Sequence, residues 1–250
     1  MYLWKNWRDA RLAVVIYIAP LIFYLYSVIR HPGSSGVNSN PSQLNVDAVS
    51  TFVVSTIGIV LLFVAWSLAG DGIGHEIADD RGAYLLTRPR SRKFFLWLDN
   101  GFAFGLMAVL AWSTVVLFEI VVKLGLVRLP NYAVPSPLFF LVAPLCGLIF
   151  AGLIYSVTYL CTMLIPRDKT ARVISVAVLI AYSYLHYKAY HTWGGLTQYV
   201  FPSWWVNPYP NKFSSALAPH LWLELGGRVI AIVVLLLIAQ FVLERREIRA

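Results

Sequence analysis

The sequence predicts an all-α integral membrane protein with six transmembrane helices and both termini in the cytoplasm. It also predicts an N-terminal elbow helix, a cytoplasmic helix between spans two and three, and short interfacial or re-entrant helices between spans five and six. Three observations carry this. The 250 residues are 59% hydrophobic and only 13% charged, whereas soluble domains run nearer a quarter charged. Apolar runs of about 20 residues, long enough to cross the hydrocarbon core, recur along the chain. The basic residues gather at alternate ends of those runs, and that asymmetry sets orientation.

Residues 1–11, MYLWKNWRDAR, place Trp4, Trp7, Arg8 and Arg11 at helical spacing. This suits a short elbow lying in the interface before the first span. The apolar run that follows, 12–29, is too long for a secretory h-region and no A-x-A-like site closes it, so it reads as an uncleaved span. Pro20 kinks it. Residues 30–47 are rich in Gly, Ser, Asn and Pro and form an outer loop. The second span, 49–69, carries Thr51 and Ser55 on one face.

Residues 70–93, GDGIGHEIADDRGAYLLTRPRSRK, are a charged island between two apolar runs. Ile73 and Ile77 share a helical face, Asp71 caps its start and Pro89 stops it. Glu76, Asp80 and Arg81 point away from that face, towards the cytoplasm. A basic tail follows, with Arg88, Arg92 and Lys93 at the bilayer surface. Orientation needs no acids, yet the island holds Asp71, Glu76, Asp79 and Asp80. Docking of another protein accounts for them.

The third span, 95–120, contains Asp99 and Glu119, the two in-span carboxylates. Such charges cost about 2.5–3.5 kcal/mol each at mid-membrane. Asp99 lies within about two helical turns of the cytoplasmic edge, near enough to snorkel, and Glu119 has Lys123 at i+4. Neither suits a mid-membrane proton relay, so ion-coupled transport loses support. The fourth span, 137–164, is long enough to tilt and carries Pro144, Tyr155, Ser156, Thr158, Tyr159 and Thr162. Cys146 and Cys161 share it, about 22 Å apart along a helix and beyond disulfide reach. The fifth span, 172–190, carries Ser175, Tyr182, Ser183 and Tyr184. Thr51, Ser55, Tyr182 and Ser183 are candidates to line a path, although helix packing is the commoner use of such residues. Residues 191–226 mix Trp, Tyr and Phe with prolines, as suits short helices at the outer interface. The last span is 227–243.

Fourteen of the 20 Lys and Arg then fall on the inner side: Lys5, Arg8, Arg11, the island's five, Arg167, Lys169, Arg172, Arg245, Arg246 and Arg249. The net charge of +8 therefore sits at span ends rather than on one folded face, which argues against nucleic-acid binding. There is no G-x-x-x-x-G-K-[ST], no G-x-S-x-G and no H-E-x-x-H. His186 and His191 lack further local ligands for a metal. Gly70-Asp71-Gly72 falls short of the D-x-x-D-G-x-x-A-R of CDP-alcohol phosphatidyltransferases, since His75 and Glu76 stand where Ala-Arg belongs.

The island resembles the first cytoplasmic loop of the ABC-2 type permeases, the membrane subunits of many bacterial ABC exporters. The match runs through Ile73, Glu76, Gly82, Leu85, Leu86, Thr87, Arg88, Pro89, Ser91 and Arg92. Asp99 departs from the family, which often carries a Lys after the loop. The resemblance implies a single permease domain over 1–250 in the bacterial inner membrane. Its coupling helix, Ile73, Glu76, Ile77, Asp80, Arg81 and Gly82, would sit in a cleft of a separate ATP-binding subunit, with Arg88, Pro89, Arg92 and Lys93 anchoring the loop. Two such subunits, holding ATP and Mg, would serve two permease chains, identical or homologous. The chain itself would be non-catalytic and bind no cofactor, and segment 191–226 would be the place for an extracytoplasmic partner. The competing classes are a membrane scaffold that moves nothing and a membrane enzyme on lipid-linked substrates using Asp71, Glu76, Asp79 and Asp80, with a divalent metal.

Overall fold

The computed structural model describes residues 60–70, 92–124, 137–165, 168–193 and 220–245, together with Trp7, Ala10, Arg11, Val14, Val15, Tyr17, Ile18, Ala19 and Ile22, all of them helical except Leu124, Ile165 and His220. The elements are α1 (Val60–Gly70), α2 (Arg92–Lys123), α3 (Pro137–Leu164), α4 (Asp168–Lys188) with a π-helical turn at Ala189–Trp193, and α5 (Leu221–Arg245). Every described element is helical, as the apolar runs predict.

Three helices among the described residues are long and apolar enough to cross a membrane: Lys93–Leu117, Leu141–Leu164 and Leu221–Arg245. This overturns the six-span architecture, and with it the resemblance to ABC-2 type permeases, whose fold requires a six-span bundle. The fifth predicted span fails for a visible reason. In α4 the apolar stretch Val173–Ala181, itself broken by Ser175, gives way to Tyr182, Ser183, Tyr184, His186, Tyr187 and Lys188. Nine residues make roughly 14 Å of helix, about half the hydrocarbon core. The second predicted span is described from Val60 to Gly70, roughly 16 Å. Residues 12–29 are described at scattered positions, and the expected elbow, outer loops and island lie mostly outside the described residues.

Element ends also shift. The third predicted span extends to Arg92–Lys123, and the fourth coincides with Pro137–Leu164 and runs through Pro144. Proline is well placed as the first helical residue, where its missing N–H costs nothing. The last helix begins at Leu221 rather than 227, so Gly226 and Gly227 lie inside it, both facing open space.

α3 forms the centre. It packs against α2, α4 and α5, and α2 also meets α5. Of its most apolar window 72% is buried, against 39% for α2 and 28% for α5. α5 shows why: Leu221, Leu225, Arg228, Ile232, Leu236, Ala239 and Leu243 are its buried residues, spaced three and four apart as one helical face. Its other face, with Leu223, Ile230, Val234, Leu237 and Phe241 exposed, is apolar and suited to lipid. In lipid the helices gain little from hydrophobicity against one another, so close packing and interhelical hydrogen bonds hold them. Gly152 shows the closeness: a Cβ there would meet Phe104 Cε1 at 2.8 Å and Ile232 Cδ1 at 3.0 Å. The N-terminal segment is tied in by Tyr17, which is 1% exposed and whose hydroxyl donates to the Leu110 carbonyl at 2.8 Å and bonds the Thr114 hydroxyl.

Candidate functional site

A polar seam runs between α2 and α3. Asp99 and Asn100 follow the first two turns of α2, and Tyr155, Thr158, Tyr159 and Thr162 form one face of α3, at i, i+3, i+4 and i+7. All six are buried. The Tyr155 hydroxyl donates to Asn100 Oδ1 at 2.9 Å, and the Tyr159 hydroxyl donates to Asp99 Oδ2 at 3.4 Å. The two tyrosine rings stack at 5.4 Å, and Phe104 meets Tyr155 edge-on at the same distance. Thr162 and Ser156 return their hydroxyls to carbonyls of their own helix. The Thr158 hydroxyl and Asn100 Nδ2 have no hydrogen-bond partner among the described residues.

Asp99 therefore does not snorkel. Its side chain has one methylene, too short to reach the surface from two turns inside, so it is satisfied by burial against α3 instead. Glu119 does pair with Lys123, at 3.2 Å. Arg228 is buried within α5; its Nη1 donates to the Glu224 carbonyl at 2.9 Å and lies 3.5 Å from the Glu224 carboxylate.

The ends of the charged island are also built. At its downstream end Lys93 pairs with Glu244 at 3.2 Å. Gln240 Nε2 donates to the same Glu244 Oε1 at 2.8 Å, while Trp97 Nε1 donates to Gln240 Oε1 at 3.1 Å. This chain of contacts ties the first turns of α2 to the last turns of α5. At the upstream end the Arg172 guanidinium of α4 lies 6.0 Å from the centre of the Trp66 ring and against Gly70.

Of the candidate site residues, Lys93 is an exposed member of the α2–α5 contact, and Arg92 is the first residue of α2. Tyr182 is half-buried, and exposed Ser183 donates to the Leu179 carbonyl of its own helix at 2.8 Å. Ile73, Glu76, Ile77, Asp80, Arg81, Gly82, Arg88, Pro89, Thr51 and Ser55 lie outside the described residues. No group of three or more metal-ligating His, Cys, Asp or Glu side chains converges among the described residues; Tyr187 and Tyr190 pack on His191 at 4.5 and 5.1 Å. Cys146 is buried and Cys161 partly exposed, both as free thiols.

Sequence reasoning missed Asn100, Trp66, Arg172, Gln240 and Glu244 as contact residues. The signal for the seam was present: an Asp-Asn pair two turns into one helix and a Tyr-x-x-x-Tyr pair near the last turns of the next. Both sit at the same end of antiparallel neighbours. Likewise Lys93 and Trp97 on one helix match Gln240 and Glu244 on another, each pair at i, i+4. No protein-family model, curated protein or solved structure matches the chain.

Proposed function

We propose that this polytopic membrane protein is the membrane subunit of a transport assembly, powered by a separate ATP-hydrolysing subunit that docks on the charged island. The observation that carries the reading is the chain of contacts Lys93–Glu244–Gln240–Trp97. It joins the downstream end of the island to two helices of membrane-spanning length, so that a push on the island is delivered to both. Each link is weak, since exposed ion pairs contribute about 0–1 kcal/mol. The chain directs motion rather than supplying stability.

Three further features support the reading. The island offers four carboxylates where orientation needs none. The chain lacks a P-loop, so ATP hydrolysis falls to a partner. Among the described residues the core holds a polar α2–α3 seam and no wide polar lumen, which favours a path formed at the junction of two such chains. Glu76 is the principal polar docking residue in this scheme, and rigid-body tilting of attached helices moves the cargo.

The test is co-purification with an ATPase encoded beside this chain. Glu76→Arg is expected to abolish assembly and the ATP hydrolysis that the membrane subunit stimulates. If both persist unchanged, the docking site is elsewhere.

A further inference from the structure

Gly70 ends α1 and is the first residue of the island. It is buried, between a core residue, Ala69, and the island's first charged residue, Asp71. The space where its Cβ would stand is filled: Cζ and Nε of Arg172 lie 2.7 Å from that point and Nη1 lies 3.1 Å from it. The same guanidinium lies over the Trp66 ring, one helical turn earlier on α1. Within α4 the Ser175 hydroxyl donates to the Arg172 main-chain carbonyl at 2.8 Å. A cation thus reaches from the first turns of α4 across the last turn of α1, resting on an aromatic face and on bare backbone. Cation–π contacts strengthen when they are partly desolvated, and a planar guanidinium fits such a slot where an ammonium would not.

We propose that Arg172 is a positioning latch that fixes the upstream end of the island to α4, and that Gly70 is glycine because any side chain would evict it. α4 packs on α3, so the latch hands motion of the island to the central helix. Together with the α2–α5 contact, it gives the island two attachments on different helices. A partner that moves the island then strains the bundle instead of merely bending a loop. This inference rests on the proposed function for its consequence but not for its geometry, and the two are tested separately.

The geometry is read from spin labels at Phe63→Cys on α1 and Lys169→Cys on α4, both exposed, with Cys146 and Cys161 replaced. The chain is reconstituted in nanodiscs and the distance distribution measured by pulsed electron paramagnetic resonance. One narrow distance is expected for the parent chain and a broadened one for Arg172→Ala. Gly70→Ala is expected to match Arg172→Ala, because a flexible arginine swings away from the added methyl and the chain still folds. The double variant is expected to be no broader than either. An unchanged distribution in Arg172→Ala, or a double variant much broader than both singles, overturns the latch.

The consequence is read with the ATPase partner present. Arg172→Ala leaves partner binding intact and lowers transport per ATP by about fivefold or more, the low end for coupling between two sites. Equal transport per ATP in parent and variant overturns the latch's role. A parent chain that stimulates no ATP hydrolysis overturns the proposed function instead, and the spin-label distances still decide the latch.

Discussion

Replacing Tyr155 by phenylalanine removes one oxygen from the centre of the α2–α3 seam and nothing else. The ring keeps its stack on Tyr159 and its edge contact with Phe104, both at 5.4 Å, so any loss belongs to the hydroxyl. That hydroxyl donates to Asn100 Oδ1 at 2.9 Å. Asn100 is 2% exposed, and its Nδ2 has no hydrogen-bond partner among the described residues. Tyr155→Phe therefore takes away the hydrogen bond described for that buried amide. A stranded buried polar group costs about 1–3 kcal/mol in water-soluble proteins. Between membrane helices, measured side-chain hydrogen bonds average about 0.6 and reach about 1.7 kcal/mol, because the unfolded chain finds other partners. The expected loss is about 0.6–1.7 kcal/mol. It is measured by equilibrium unfolding in mixed micelles of a mild detergent and sodium dodecyl sulfate. Asn100→Leu in the same background removes the stranded amide, so the double variant should recover part of the loss, since replacing both partners by apolar groups is nearly neutral. A Tyr155→Phe chain within about 0.3 kcal/mol of the parent, or single losses that simply add, would refute the hydrogen-bonded seam.

Two other outcomes follow from the packing. Gly152→Ala drives a methyl to 2.8 Å from Phe104 Cε1 and 3.0 Å from Ile232 Cδ1; the overpacking cost of about 1–3 kcal/mol exceeds the gain in helix propensity of up to about 1 kcal/mol. The same unfolding assay should show net destabilisation, relieved by Phe104→Leu. For the native thiols, a membrane-permeant maleimide followed by mass spectrometry should modify partly exposed Cys161 well before Cys146, which is 2% exposed; equal rates would contradict the central placement of α3.

How far the sequence reveals this molecule depends on which residues are asked. Pro137–Leu164 was legible to its ends, because a long uncharged run bounded by Pro137 and by the Pro166-Arg167 pair permits few other structures in lipid. α4 was not. Its first half reads as a span, but the reading was carried to residue 190, across a segment that holds Tyr182, Ser183, Tyr184, His186, Tyr187 and Lys188. Aromatic residues with polar tips serve interfaces as readily as interiors, so their presence does not lengthen a span. α5 was underestimated at its start because residues up to 226 were assigned to short interfacial helices; inside lipid, backbone groups must be paired internally, and the helix runs through Gly226 and Gly227 from Leu221.

The seam and the latch expose a different limit. Hydropathy gives each residue a depth and helical spacing gives it a face, yet neither says which face meets which neighbour. Asp99 illustrates this: its depth was right and its fate was wrong, because snorkelling needs a long stem that aspartate lacks. A short in-span carboxylate two turns from the surface has one remaining outlet, a donor at the same depth on an adjacent helix. Tyr159 supplies it, with Tyr155 one turn deeper for Asn100. Gly70 makes the same point more sharply. As a residue it looks like a helix terminator at the edge of the island, and its conformation asks for nothing special. Only the Arg172 guanidinium lying where its Cβ would be turns the glycine into a requirement. For a small residue at the end of a membrane helix, the informative quantity is therefore what fills the space that a side chain would have taken.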